Sequence, residues 1–374
     1  MRSIFGILFM ISVIFGSNFY LFYRLWNMMP VNITGRVLLI CFAVFTIAAP
    51  VLSMFAGEKL PILVTSFLYR AGTSWIIIIM YLVIIFLLLD LAHITHIFNV
   101  EQFMYGSWRS LGILAIFITI VMAFGFVNYK HKNREELTIT IDKKTNSGNP
   151  LKIVAISDLH LGYGIGIDEF RSWVQLINKE EPDILLIAGD LIDNSTYPLH
   201  KQGYAEVFKE IRTKYGIYMS LGNHEYIFDV SKSINFLNEA GITLLRDSVA
   251  TVNDDFYIVG RDDMSNPDRK TIARLTESLD KSKPVIMLDH QPYNLDEAEK
   301  NGIDLQISGH THNGQIWPIS LITKLIFEKS HGYIKKGNSH IYVSSGIGLW
   351  GGKFRIGTNS EYAVIKASFC DTLN

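Results

Sequence analysis

The chain has 374 residues, enough for two domains, and 34 Lys/Arg against 35 Asp/Glu leave a formal charge of −1, without the basic surplus that nucleic-acid binding by phosphate neutralisation calls for. Its hydrophobic share of 49% is unevenly placed: residues 1–128 hold six basic side chains (Arg2, Arg24, Arg36, Lys59, Arg70, Arg109) and three acidic ones (Glu58, Asp90, Glu101), and the remainder holds 28 and 32. The two cysteines, Cys41 and Cys370, exclude a disulfide framework and a thiolate metal site.

Four apolar runs open the chain, at 3–23, 37–55, 73–92 and 111–128. Each approaches the ~20 residues needed to cross ~30 Å of hydrocarbon. A buried soluble helix would be shorter and striped with polar residues, so an all-α transmembrane bundle of four helices is expected over residues 1–128. The first run is too long and too aromatic for a signal-peptide core and lacks a small-residue cleavage site. Pro61–Tyr69, ended by Arg70, reads as an interfacial lead-in to the third span. In the short loops one side receives Arg2, Lys59, Arg70, Lys130, Lys132 and Arg134, and the other Arg24, Arg36 and Arg109. That bias orients a multi-pass protein with both termini and the C-terminal domain in the cytoplasm. Asp90, His93 and His96 recur at i, i+3 and i+6 near the end of the third span. They read as a water-interface group that caps or pairs locally, with a metal or proton site as the alternative.

Residues 129–150 are a polar linker in which Leu137–Ile141 alternates like a first strand. From 151 to 374 the pattern is regular. Strands are expected at Leu151–Ile156, Asp183–Ala188, Ile217–Leu221, Ile242–Leu245, Ala250–Val252, Phe256–Val259, Val285–Leu288, Asp304–Ile307, His340–Ser344 and Tyr362–Ala367. Helices are expected at Ile167–Asn178, Tyr204–Tyr215, Ser231–Ala240, Thr271–Leu279 and Leu295–Asn301. Strands alternating with helices imply an α/β layered domain with parallel pairing, and the hairpin-like later strands suggest a mixed or second sheet.

The chemistry gathers where these strands stop. Asp158-Leu159-His160 follows the first, Gly189-Asp190 the second and Gly222-Asn223-His224-Glu225 the third. Asp289-His290 and Gly309-His310-Thr311-His312 follow two later ones. Five of the eleven histidines fall in these positions. In open α/β sheets ligands collect beyond the carboxyl ends of the strands, and imidazole, carboxylate and amide oxygen together suit divalent metals. Asp158 and His160 project at i, i+2 to one side, and alternate histidines 310 and 312 on an extended segment would face one way. Asn223 offers an amide oxygen, and His224 an imidazole near a leaving group. Singly each motif reads as a turn, a cap or a core histidine; the ordered set of five does not.

That set resembles the five motif blocks of the calcineurin-like metallophosphoesterases over roughly residues 150–368. Gln315-Ile316-Trp317-Pro318, the run Ser344–Gly351 and Phe354-Arg355-Ile356-Gly357 resemble the membrane-anchored branch of that superfamily. Its bacterial relatives include a cell-wall-associated phosphodiesterase and enzymes that cleave the pyrophosphate of UDP-diacylglucosamine. The resemblance implies a four-layer α-β-β-α sandwich and two divalent ions (Mn, Fe or Zn) bridged by Asp190. Asp158, His160 and His312 would complete one ion, Asn223, His290 and His310 the other, with His224 as the catalytic residue. The Asp-Arg-Gly of protein phosphatases is replaced by Asp190-Leu191-Ile192-Asp193-Asn194, which argues against a phosphoprotein substrate. Arg355 and Lys353 read as solvated loop charges, with contact to a substrate phosphate as the alternative.

The expected activity is hydrolysis of a phosphodiester or pyrophosphate bond in a lipid-linked or nucleotide-linked, amphiphilic substrate at the bilayer, with no nucleic-acid partner. The rivals are a membrane sensor or transporter component that only binds a phosphate ligand, and a diesterase for soluble cyclic nucleotides.

Overall fold

The structure, a computed structural model, describes residues 2–370, with side chains from residue 12 onward except that of Phe228. The chain divides into two compact units, Met1–Val127 with Gly351–Phe354, and Asn128–Trp350 with Arg355–Asn374.

The first unit is helical: α1 (Arg2–Met28), α2 (Ile33–Phe55), α3 (Ile62–Thr95), the single turn α4 (Glu101–Met104) and α5 (Trp108–Lys130), which runs into the second unit. By length and composition α2, α3 and α5 can each cross a membrane. The expected first span, 3–23, falls within α1, and its side chains through residue 11 lie outside the described residues. Pro61–Tyr69 is not a separate lead-in but the start of the 34-residue α3. Pro61 stands just before the helix, where a missing N–H costs nothing. Gly72 serves a close helix crossing instead of a break, since a Cβ there would lie 2.7 Å from Pro50 Cδ on α2. Asp90 pairs across helices and not locally, accepting the Tyr20 hydroxyl at 2.5 Å and the Arg24 guanidinium at 2.5 Å, both from α1. Among the described residues His93 and His96 join no metal-ligating group.

In the second unit two six-stranded mixed sheets face each other. The first has the order β1 (Lys132–Ile141), β12 (Ser360–Phe369), β2 (Leu151–Ile156), β3 (Ile184–Ala188), β4 (Ile217–Ser220), β5 (Thr243–Leu244). The second runs β10 (Gly332–Lys336), β11 (Ser339–Val343), β9 (Leu305–Ser308), β8 (Val285–Leu288), β7 (Phe256–Gly260), β6 (Ser248–Val252). Strand periodicity divides the apolar side chains between two interfaces. On β2, Ile153 and Ala155 meet Ile286, Leu288, Leu305 and Ile307 of the other sheet. Val154 and Ile156 point the opposite way, onto Phe170 and Trp173 of α6 (Ile167–Lys179) and onto the helices that follow it. These are α7 (Tyr197–Gln202), α8 (Tyr204–Phe208), α9 (Asn223–Phe228) and α10 (Val230–Glu239). Val285 and Met287 cover the outer face of the second sheet against α11 (Ile272–Thr276) and α12 (Asp296–Lys300). The result is the four-layer α-β-β-α sandwich.

Some elements depart from sequence expectation. The helix expected over Tyr204–Tyr215 stops after Phe208. Asn178 donates to Glu210 O at 2.9 Å and accepts Arg212 N at 2.8 Å, which satisfies the backbone in place of further helical bonds. The helix expected over Thr271–Leu279 is the shorter α11. Strand β10 and a last helix, α13 (Ile319–Ile326), were not apparent in the pattern. β1 begins at Lys132, five residues before its alternation becomes apolar, because parallel pairing with β12 from Ser360 onward supplies its bonds.

Candidate metal centre

Strands β2, β3 and β4 run parallel in one sheet, and β8 and β9 run parallel in the other. Their carboxyl ends therefore open on shared edges, where the loops bond to one another. Asp158 N donates to Gly189 O at 3.1 Å, His160 N to Asp190 O at 3.0 Å and Gly309 N to His290 O at 2.9 Å. The His290 ring closes the gap between sheets, with Nδ1 2.7 Å from Ala188 O at the end of β3. Two glycines make these approaches possible. A Cβ on Gly222 would lie 2.2 Å from Asp190 Oδ1, and one on Gly309 2.4 Å from Asp158 Oδ2.

Three groups of ligating side chains converge, namely Asp158–His160–His312, His160–Asp190–His224 and Asp190–His290–His310. His160 Nε2 stands 3.1 Å from His312 Nε2 and 3.8 Å from Asp190 Oδ2. On the other side of Asp190, His290 Nε2 is 3.1 Å from Asp190 Oδ2, and His310 Nδ1 is 2.8 Å from Asn223 Oδ1. Neighbouring ligands on one ion at ~2.1 Å stand about 3.0–3.4 Å apart; the His160–His312 and His290–Asp190 spacings, both 3.1 Å, match donors arranged around a cation, one pair on each side of Asp190. His160 Nδ1 and His312 Nδ1 are buried without a hydrogen-bond partner, and the buried His290 Nε2 faces the Asp190 carboxylate. Burial and the nearby His290 bring His310 down to about 4, and burial with His160 holds His312 well below the usual range, so both imidazoles keep a free lone pair. Burial works to raise Asp190 also, but His290, His224 and His160 outweigh it and hold that carboxylate ionised. The donor set fits divalent metals.

The route to this geometry differs from the sequence argument. Asp158, His160, Asp190, His310 and His312 all have positive φ, between 47° and 70°. The segment carrying His310 and His312 is therefore a left-handed turn, not an extended stretch. The two rings do not face one way: His312 joins Asp158 and His160, while His310 joins Asp190 and His290.

A model of the calcineurin-like phosphoesterase family matches residues 151–314. A relative from Aquifex aeolicus, an uncharacterized metallophosphoesterase, is 31% identical over 259 residues, covering 67% of this chain and 97% of that protein. The chain belongs to the calcineurin-like metallophosphoesterases. An uncharacterized metallophosphoesterase of Helicobacter pylori is 34% identical over 241 residues, 62% of this chain and 63% of the relative. A Danio rerio transmembrane protein with metallophosphoesterase domain is 31% identical over 277 residues, 68% of this chain and 62% of the relative. The chain thus spans a little under two thirds of the length of these last two.

This metallophosphoesterase site also uses residues to which the motifs gave no role. Asp193, three positions after Asp190, is buried with Oδ1 3.7 Å from both His160 Nδ1 and His224 Nδ1, and its carbonyl lies 2.8 Å from His224 Nδ1. Glu225 accepts the backbone N–H of Gly222 (2.8 Å), Ile192 (3.0 Å) and Asp190 (3.1 Å). Burial and then the Asp190 charge push it up to about 7, against two of those donors. Both residues stood inside the quoted motifs, which was the available signal. Arg355 is a correction. It is fully buried, not solvated, and donates to His312 O at 2.7 Å, Ser345 O at 2.5 Å and Gly348 O at 3.0 Å. Its three nitrogens together make five hydrogen bonds, four to loop carbonyls and one to Ser360 Oγ, so it braces the ligand loop. Lys353 is half-buried.

Proposed function

We propose that this chain is a membrane-bound, dinuclear-metal phosphoesterase that hydrolyses a phosphodiester or pyrophosphate bond in a lipid-linked or nucleotide-linked substrate. The observation that carries the reading is that ligating groups meet on both sides of a single ionised carboxylate, Asp190. Asp158, His160 and His312 would hold one ion, Asn223, His290 and His310 the other, with Asp190 shared. Bound there, two divalent ions (Mn, Fe or Zn) supply Lewis-acid polarisation of the phosphoryl group and an acidified water.

The chain's own groups then divide the remaining work. His224 Nδ1 donates to Asp193 O, which fixes the ring and leaves Nε2 to give a proton to the departing oxygen or to stabilise charge developing on it. His224 N donates to Asp190 Oδ1 at 2.8 Å, so the proton donor and the shared ligand are held in one frame. Burial opposes protonation of His224, but Asp190 and Asp193 outweigh it and raise its pKa, as a general acid requires. We read the domain as cytoplasmic from the Lys/Arg bias flanking the expected spans, a reading that labelling of Cys370 with an impermeant maleimide in oriented vesicles tests.

The decisive experiment is His224→Ala in the Mn-loaded full chain with bis-p-nitrophenyl phosphate. Loss of about 10²–10⁴-fold in kcat at unchanged metal content is expected. Full turnover by the variant would remove His224 from the reaction, and an inert metal-loaded wild type would remove the reading itself.

A further inference from the structure

Helix α13 is built inside out for a helix facing water. Its small hydroxyl residues face the protein: Ser320 is buried, and Thr323 donates to Ser320 O at 3.1 Å. Its branched aliphatic residues face outward, with Leu325 87%, Ile326 59%, Leu321 51% and Ile322 50% exposed, beside Trp317 at 50%. A surface helix normally puts that stripe on the core, and a contiguous exposed apolar patch marks a surface that something apolar covers. The helix is pressed against the ligand loop. A Cβ on Gly314 would lie 2.5 Å from Ser320 Cα, and Arg355 fixes His312 two residues before that glycine.

We infer that α13 and Trp317 form a bilayer seat, a short interfacial helix that inserts its apolar face among lipid headgroups. Three features select a bilayer. α5 is apolar and long enough to span one, and β1 begins two residues after that helix ends, so the domain that carries α13 is joined directly to a candidate membrane span. Residues 316–327 carry one charge, Lys324, which is exposed, and no acid, which suits an anionic headgroup layer. A tryptophan at the edge of an apolar face is the usual membrane-interface anchor. Eight residues at ~1.5 Å each give a patch about 12 Å long, enough to lie in the interface and too short to cross it. For substrate choice the inference rests on the phosphoesterase reading: the seat is one short loop from His312, so a phosphate borne by a lipid headgroup is presented to the site without leaving the bilayer.

The test uses the full chain in nanodiscs of phosphatidylcholine with a quarter phosphatidylglycerol. Cys41 and Cys370 are replaced by serine and a nitroxide is placed at Leu325→Cys, with Lys232→Cys on α10 as a water-exposed reference. Power-saturation EPR should show the label at 325 relaxed by oxygen and shielded from a water-soluble nickel chelate, the reverse of 232. A label at 325 as open to nickel as at 232 overturns the inference, and so does one shielded from both relaxants, which would mean a protein partner. In the double variant Ile322→Asp/Leu325→Asp, hydrolysis of a p-nitrophenyl diester carried on a phospholipid in the same nanodiscs should fall about tenfold or more, with bis-p-nitrophenyl phosphate turnover kept. Equal loss on both substrates would make α13 a brace of the site only. A wild type that cleaves neither ester sinks the phosphoesterase reading, while the EPR result still decides the seat.

Discussion

Replacing Glu225 by glutamine keeps the side chain's shape and removes its charge, and the structure sets the cost. The carboxylate takes Gly222 N and Asp190 N on Oε2 and Ile192 N on Oε1. Glutamine has one acceptor oxygen, so its amide NH2 must face the third N–H, two donors about 3 Å apart. Hydrogen bonds to a charged group are worth roughly 1.5–3 kcal/mol each. Losing one and weakening two would exceed that range, but the same substitution relieves a buried charge beside Asp190, the cause of the raised Glu225 pKa. A net loss of about 2–3 kcal/mol follows. For a domain of this size it lowers the melting temperature by about 5–10 °C. The weakened bonds hold the backbone of Asp190 and the residue before Asn223, so Mn affinity should fall about 10- to 100-fold, as for other residues that orient ligands. Differential scanning fluorimetry of the purified full chain and Mn titration calorimetry read the two effects. A variant melting within about 1 °C of wild type, with unchanged affinity, would refute the claim that Glu225 holds the ligand loops together.

Arg355→Met should lower stability by about 3–5 kcal/mol, because it strips donors from several buried loop carbonyls at once. Urea unfolding of the variant checks this, and it should weaken metal binding through His312 while leaving His290 and His310 in place. At the domain surface Arg134 grips Glu180 with Nε–Oε1 at 2.8 Å and Nη2–Oε2 at 3.1 Å. Burial works to raise Glu180, but Arg134 outweighs it and the net pKa is depressed from 4.5, so this stability is present above about pH 4.5 and fades as pH falls through the lower folded value. Arg134→Met should therefore flatten the acid limb of a melting-temperature profile and leave stability near pH 7 lowered; an unchanged limb would refute the assignment.

The layers were legible because their signals are local. Ile184–Ala188 is continuously apolar since both its faces are covered, and α6 alternates at helical period since only one of its faces is. The site was legible for a different reason: ligand types recur at strand ends, and parallel strands place their ends together. What escaped was set by partners distant in sequence. Asn178 ends the helix after Phe208 from 30 or more residues upstream. Arg355 reads as a loop charge because its carbonyl acceptors, His312 and Ser345 to Gly348, carry no sequence mark. α13 escaped because its outward apolar face has the period of a core helix, and period alone cannot say which side is wet.

The same distinction explains the backbone of the site. Five of its seven candidate metal ligands adopt left-handed φ, a conformation that costs an ordinary residue roughly 1–2 kcal/mol. Together that approaches the whole net stability of a typical domain, so the turns persist only because other contacts over-determine them. Those contacts are the cross-loop bonds from Asp158 N, His160 N and Gly309 N, the acceptors of Glu225 and the donors of Arg355. None of them contributes a ligand atom, and each fixes a peptide next to one that does. The strain is therefore the physical reason the motifs read as isolated turns in the sequence and as one site in the fold. A left-handed residue at a strand end turns its side chain back over the sheet edge, where side chains from the neighbouring strands already converge.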